Sequence, residues 1–342
     1  MIDEVVYYHH KIMAGDDMQK YPFGITTEIL NLVAEICELT GQLSTQSKLN
    51  SSPQLRRTNR IKTIYSSLAI EQNTLTLDQV TAVISGKRVL APPKDIAEVQ
   101  NAYEIYDRLD MLNPYSANDL LLAHEVMTRG LVTESGEFRS GSVGVVDNHG
   151  NVLHVGTLPA YVPGLVAELL DWTENDPRHI LIKSCVFHYE FELIHPFTDG
   201  NGRIGRLWHT LLLSKWNPIF AWLPVESMIH DRQEGYYRAF NAANNAADST
   251  VFITFMLEAI RDTMLEAIEG SVSDTQRKSD KAAAREGMIM NYLNENSEVT
   301  NGSVRDLLNV SVATANRILN NMVDKGLIIR FRSGRSWAYR RR

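Results

Sequence analysis

Apolar residues recur at helical spacing along nearly the whole chain, whereas runs that alternate like a strand are few and short. That periodicity restricts the fold to a mostly α architecture. Helices are expected over 26–46, 95–111, 117–132, 161–173, 178–193, 201–215 and 249–268. Another opens at Ser52-Pro53, with serine in the N-cap place and proline at the first helical position, and runs to about Glu71. The segment 141–157 (GSVGVVDNHGNVLHVGT) differs in kind. Its β-branched residues flank Asp147-Asn-His-Gly150, which predicts a short hairpin beside the helical body. The polar stretch 270–285 reads as a linker or an exposed joining helix. The pattern then restarts as three short helices at 286–294, 302–309 and 312–325, followed by two extended runs around the turn Ser333-Gly334.

A length of 342 residues exceeds the usual domain of about 100–200, so two or three folding units are expected. Apolar residues at 44% and charged residues at 22% are ordinary for a soluble globular protein. The beginning, MIDEVVYYHHK, is acidic and has no apolar signal-peptide core, and no run nears the ~18 apolar residues of a membrane span. A cytoplasmic location and no membrane partner are expected. Cys37 and Cys185 show no CxxC spacing, which argues against a disulfide framework or a cysteine zinc site. The net charge of −7 hides a basic end, because 327–342 carries six arginines and no acid.

Residues 195–206 read HPFTDGNGRIGR. A glycine-rich turn taken alone is more often a plain connection between two helices, so the residue types must be weighed together. Gly200-Asn201-Gly202 allows close backbone approach and opens the helix 201–215, whose N-terminal amides attract anions. Arg203 and Arg206, three apart, share a helical face from which both can reach phosphate oxygens. Asp199 sits just outside that terminus, where an oxygen ligand for Mg²⁺ would stand. His195 is the run's one strong proton acceptor and fits a general base. Phe197 is expected to bury and fix the loop.

The run resembles the signature of the Fic family, HxFx(D/E)GNGRxxR, at every defined position. Gly136-Glu-Phe-Arg139, the hairpin after it, and Asp231-Arg-x-x-x-Tyr236-Tyr237 with Asn244 are similar to flanking stretches of that family, so the likeness covers about 60–265. The resemblance implies a Fic-type helical core with a small β-hairpin flap, ATP and Mg²⁺ as co-substrate and cofactor, and transfer of AMP to a Ser, Thr or Tyr hydroxyl of a target protein and of the chain itself. It implies His195 as base, Asp199 on the metal, and Gly200, Asn201, Gly202, Arg203, Ile204, Gly205 and Arg206 at the phosphates. Tyr236, Tyr237 and Asn244 would lie at the adenosine, although aromatics at helical spacing are commonly core. Leu153, His154, Val155 and Gly156 would form the flap edge that aligns the target by strand addition.

Ile61, Ile64 and Leu68 form an apolar stripe that Glu71 continues, placing a carboxylate on that face at a helix C-terminus. Such a group needs a cation, unless it reaches solvent at a fraying end. Ser67-Leu-Ala-Ile-Glu71-Gln-Asn73 resembles the Fic inhibitory motif (S/T)xxxE(G/N), which implies that Ser67 and Glu71 restrain Arg206. Gln72 departs from that pattern, and glutamine is not expected to take the left-handed conformation of a C-terminal cap.

His188, Glu192 and His195 recur at spacings of four and three that resemble metal ligands, but no HExxH is present, and His188 and His124 are expected to pack or to support neighbouring residues. Residues 286–342 resemble a winged helix-turn-helix, whose arginines would bind DNA or else form a protein-docking or solvated surface. The expected division is an N-terminal helical region at 1–95 with the inhibitory helix at about 53–72, a Fic catalytic core at 96–268, a linker at 269–285 and the winged-helix-like domain at 286–342. Beside an autoinhibited adenylyltransferase stand a nucleotide-sensing DNA-binding regulator, and the same site removing AMP or using another phosphate donor. Homo-oligomerisation is left open.

Overall fold

The computed structural model describes residues 20–46, 52–142, 144–146, 152–155, 157–333 and 336–342. Two compact units divide between Ile268 and Glu269. In chain order the first unit holds α1 (Thr27–Gln46), α2 (Pro53–Ile70), α3 (Leu77–Ile84), α4 (Pro93–Asp107), α5 (Ala117–Thr128), the strands β1 (Gly144–Val146) and β2 (Val152–Val155), α6 (Val162–Asn175), α7 (Ile180–Ile194), α8 (Asn201–Trp216), α9 (Val225–Asp231), α10 (Gln233–Ala246) and the start of α11 (Thr250–Glu295). Most of it is helix, as the periodicity predicts.

Helix α7 is the centre of this unit. Every residue from Leu181 to Phe191 is buried, the mark of a helix enclosed on all sides. Its neighbour α8 is buried almost as completely from Asn201 to Leu213, and α5, α6 and α2 pack around the pair. The short connection 195–200 turns the chain back between them. The hydrogen-bonding groups of this connection therefore sit at the junction of a dry core and the surface.

Helix α2 begins as its sequence suggests. Ser52 caps it by accepting from the Leu55 N–H, and Pro53 occupies the first turn. Its end differs from expectation. Gln72 does adopt a left-handed backbone, with φ of 66°. The Asn73 N–H reaches the Leu68 carbonyl at 3.1 Å and the Gln72 N–H reaches that of Ala69 at 3.0 Å, the doubled closure of a Schellman cap. These bonds satisfy the last carbonyls and override the side chain's preference.

Three helices, α3, α9 and α10, lie outside the expected set. Helix α3 is eight residues long, too short for periodicity to show, although Thr76 and Gln79 form a reciprocal capping box. The helix expected over 117–132 stops at Thr128, where the Thr128 hydroxyl donates to the His124 carbonyl and Gly130 takes a φ of 72°. The predicted hairpin is antiparallel, pairing Gly144 with Val155 and Val145 with His154, with a register shift before Val146. Its turn, Asp147–Gly150, and the flap residue Gly156 lie outside the described residues.

The second unit contains the end of α11, then β3 (Val299–Thr300), α12 (Asn301–Leu308), α13 (Val312–Asp324), β4 (Ile328–Ser333) and β5 (Ser336–Arg341). The sheet is antiparallel in the order β3-β5-β4, and Ile289, Val304, Leu319, Met322 and Ile328 share a separate small core. This is a winged helix-turn-helix. The segment 269–285 is helical throughout as part of α11. No proline interrupts it, and strong helix formers such as Ala282 and Ala283 offset the cost of Gly270. Among the described residues no helix is long and apolar enough to cross a membrane.

A prediction follows from the α2 cap. Left-handed backbone costs a non-glycine residue about 1–2 kcal/mol, so Gln72→Gly should raise the melting temperature of the first unit by about 2–4 °C. An unchanged or lower melting temperature in calorimetry would show that the glutamine side chain makes contacts worth more than the strain.

Candidate active site

Helix α7 ends at Ile194, and His195 caps it in a left-handed conformation with φ of 51°, its N–H held by the Phe191 carbonyl at 3.0 Å. The imidazole Nδ1 lies 3.4 Å from the Glu192 carbonyl oxygen, a long contact in which the nitrogen can only donate. That tautomer leaves Nε2 with its lone pair. Pro196 and Phe197 are buried, and the Phe197 ring stacks on His124 with centroids 3.7 Å apart and planes 3° from parallel. His124 accepts from the Gly136 N–H at Nδ1 and donates from Nε2 to the Asp199 carbonyl, each at 3.0 Å. Burial, the largest cause, pushes its pKa down to about 4, so the ring is neutral.

Asn201 closes the loop from the other side. Its side-chain oxygen accepts from the Phe197 N–H and its nitrogen donates to the Phe197 carbonyl, both at 2.8 Å. The amide is thus committed to loop shape. Gly200 turns into α8 with φ of 90°, and a Cβ there would meet Thr128 at 3.0 Å.

Both arginines of the run are buried and already engaged. Arg203 donates from Nη1 to Glu98 at 3.2 Å and from Nη2 to Asp199 at 2.7 Å, while its Nε is buried without a partner. Arg206 donates from Nε to the Ser67 hydroxyl at 3.0 Å, and from Nη2 to the Ser67 carbonyl at 2.9 Å and Glu71 Oε1 at 2.7 Å. Burial alone would lower the Arg206 pKa, but the charge and hydrogen bond of Glu71 raise it instead. Glu71 itself is 36% exposed, so solvent reaches one side of the pair. Its carboxylate crosses directly over Gly202, where an added Cβ would lie 2.2 Å from Oε1. Only glycine leaves room for that approach.

Among the described residues no group of three or more His, Cys, Asp or Glu side chains gathers to hold a metal. Mg²⁺ does not need one, because it takes one or two carboxylates and completes its shell with phosphates and water. Asp199 fits that use. It is 45% exposed, and although burial raises its pKa, the charge and hydrogen bond of Arg203 hold it below the usual carboxylate value.

The profile of the Fic/DOC family matches residues 114–213, and that of a winged helix-turn-helix DNA-binding family matches 284–329. The crystal structure of a Fic family protein from Desulfovibrio desulfuricans G20 is 45% identical in sequence, with 95% of this chain and 98% of that one aligned at a TM-score of 0.74. This chain belongs to the Fic family.

It is also similar to protein adenylyltransferase fic-1 of Caenorhabditis elegans, 33% identical over 215 residues, which cover 57% of this chain and 39% of that protein. Protein adenylyltransferase Fic of Nematostella vectensis is 30% identical over 213 residues, or 59% of this chain and 47% of that one. The match thus spans less than half the length of these curated relatives. A solved fragment of Fic-1 from C. elegans, at 20% identity and a TM-score of 0.58 over 72% of this chain, shares the fold.

In this Fic protein, Ser67, Glu71, Gly202 and Arg206 form one contact group, with Asp199 and Arg203 on the neighbouring turn. Ile204 is buried in the core, and Gly205 leaves space for Glu192, whose Oε1 would lie 2.7 Å from a Cβ there. Tyr236 is buried and hydrogen-bonded to His188 Nε2 at 2.8 Å, whereas Tyr237 is 40% exposed and accepts from Gln233. Asn244 is half-buried on the last turn of α10. The backbone of Leu153, His154 and Val155 forms strand β2.

Sequence reasoning missed Glu98 and Gln233, and it weighed Glu192 only as a possible metal ligand. Glu98 lies 105 positions from its partner Arg203, and no local pattern marks it. Gln233 ties α10 to the end of α2 through the Ile70 carbonyl at 3.1 Å. Glu192 precedes His195 by one helical turn, in a helix that also carries the buried Glu190. Its Oε1 is buried without a partner. Burial first, and the nearby negative charge of Glu71 after it, raise its pKa to about 8 against the pull of Arg206.

A carboxyl raised from 4.5 to about 8 on folding contributes stability that is present below pH 4.5 and is lost as pH rises through about 8. Glu192→Gln removes that loss. Its melting temperature should match the wild type near the lower pH and exceed it at the upper one. Parallel melting curves across the range would mean that Glu192 is ionised in the fold.

Proposed function

We propose that this chain is a protein adenylyltransferase, moving AMP from Mg²⁺-ATP to a Ser, Thr or Tyr hydroxyl of a target protein and restrained by its own Glu71. The observation that carries the reading is the placement of a histidine at one end of a six-residue loop and an arginine-bearing helix N-terminus at the other. The names of the curated relatives support the same activity.

The residues would divide the work as follows. The first-turn amides of α8 and the guanidinium groups of Arg203 and Arg206 attract the phosphates. Asp199 would hold Mg²⁺, which supplies charge neutralisation at the phosphates. His195 Nε2 takes the proton as the target hydroxyl oxygen bonds to the α-phosphorus. The bond from that phosphorus to the bridging oxygen breaks, and pyrophosphate leaves with the electron pair. The exposed edge of β2 would align the target backbone, and Tyr237 and Asn244 on α10, with Tyr236 behind them, would face the adenosine.

Restraint follows from the same contacts. Glu71 occupies the Nη2 that a terminal phosphate would need, and brings negative charge to that place. Glu71→Gly should raise incorporation of labelled AMP at least about tenfold while lowering stability by about 1–3 kcal/mol, less than for a fully desolvated pair because Glu71 reaches solvent. In that background, His195→Ala and Arg206→Ala should each abolish transfer, the first with ATP binding nearly intact. A folded Glu71→Gly protein that transfers no more than wild type overturns the restraint, and near-normal transfer by His195→Ala overturns the base. Mass analysis of the product distinguishes AMP transfer from AMP removal or another donor.

A second reading concerns the winged unit. Arg330 and Arg332 lie over the Trp337 ring at 3.8 and 4.5 Å, and Arg340 over Phe331 at 5.2 Å, giving a rigid cationic wing suited to duplex phosphates. Arg335, the fourth arginine of this wing, lies outside the described residues. Duplex DNA retention should be present at low salt and fall steeply as salt rises. Absence of retention by the full chain at low salt would assign the wing to protein docking or to solvent.

A further inference from the structure

Arg139 is 2% exposed, yet among the described residues it makes no ion pair. Its donors go to backbone carbonyls instead. Nε donates to the His195 carbonyl at 2.7 Å, Nη1 to that of Gly141 at 2.8 Å, and Nη2 to those of Thr157 and, at 3.3 Å, Ile194. Its own N–H reaches the Pro196 carbonyl at 3.0 Å. Burial lowers its pKa, and among the described residues no carboxylate offsets that cost. The negative end of α7 provides the compensation, since the Ile194 and His195 carbonyls terminate that helix.

The acceptors fall into two groups with different jobs. Ile194, His195 and Pro196 carry the proposed base, while Gly141 and Thr157 stand at the two roots of the β1–β2 hairpin. A second link runs beside it, where Glu134 accepts from Ser140 at one oxygen and from the Thr198 hydroxyl at the other. None of the Arg139 contacts touches α8 or its arginines. The fork of a guanidinium is needed, because a single ammonium cannot span carbonyls from three segments.

We propose that Arg139 is a positioning residue for the acceptor side of the reaction, locking the roots of the target-aligning hairpin to the carbonyl of His195 so that the hydroxyl meets the imidazole in register. This rests on the adenylyltransferase reading for the chemistry, but the clasp can be measured without it.

The experiment compares Arg139→Lys and Arg139→Met in the full-length Glu71→Gly chain. Amide hydrogen exchange is followed over 144–146, 152–155 and 194–200, Mg²⁺-ATP affinity by calorimetry, and transfer of labelled AMP to a His195→Ala copy of the chain as acceptor. Exchange in those three segments should quicken about tenfold or more in both variants, while ATP affinity stays within about threefold. Transfer at saturating ATP should fall about tenfold, through a raised KM for the acceptor copy. Unchanged exchange at the hairpin overturns the proposal, as does ATP affinity falling in step with transfer. So does loss of protection spread evenly through α6, α7 and α8 in the Lys variant, which would make Arg139 a general support of the fold. If the Glu71→Gly chain with Arg139 intact labels nothing, the adenylyltransferase reading fails, and the exchange pattern still decides the clasp.

Discussion

The burial of Arg206 is the constraint around which the first unit is arranged. A guanidinium on a dry helix surface must find acceptors for its donors, and three converge on it from one turn of α2, the Ser67 hydroxyl, the Ser67 carbonyl and Glu71. That demand fixes α2 against α8, and it fixes where α2 must stop. The Schellman closure with Gln72 in a left-handed conformation ends the helix so that Glu71 sits at its C-cap, facing α8. Gln233 then joins α10 to the same helix end. A single charge thereby aligns three helices.

The loop 195–200 obeys a related logic. It carries the proposed base and a carboxylate between two enclosed helices, so its backbone polar groups must be met by side chains. Asn201 closes it within, His124 holds the Asp199 carbonyl, and Arg139 takes the carbonyls that α7 leaves over. The aromatic stack of Phe197 on His124 fills the remaining space. Fixing the loop this way lets His195 and Asp199 stand at the surface without their backbone moving.

Much of this was legible in sequence where the signal is local. The serine-proline start of α2, the glycine entry to α8, the hairpin and the apolar stripe that carries Glu71 each depend on residues a few positions apart, and each lies in the structure where the pattern put it. The short helices α3 and α9 escaped because two turns hold too few apolar positions to establish a period. Glu98 and the carbonyl set of Arg139 escaped for a different reason. Their partners are brought near only by the packing of α4 against α8 and of the segment before the hairpin against the end of α7, and carbonyls have no sequence identity to read. Gln72 was misjudged because intrinsic preference was weighed without the two hydrogen bonds that overrule it.

The contact between Glu71 and Gly202 also has a thermodynamic side. The carboxylate lies in the volume over the first turn of α8, so a polyphosphate bound there as proposed would compete with Glu71 for the same few cubic ångströms and the same Nη2. Apparent affinity for any such anion would then be the intrinsic affinity scaled by the fraction of molecules in which Glu71 has moved aside. A preference of about 1.4 kcal/mol for the closed arrangement weakens binding about tenfold, whatever chemistry comes afterwards. On the proposed reading, nucleotide concentration and the strength of one ion pair would be interchangeable variables, each able to offset a change in the other.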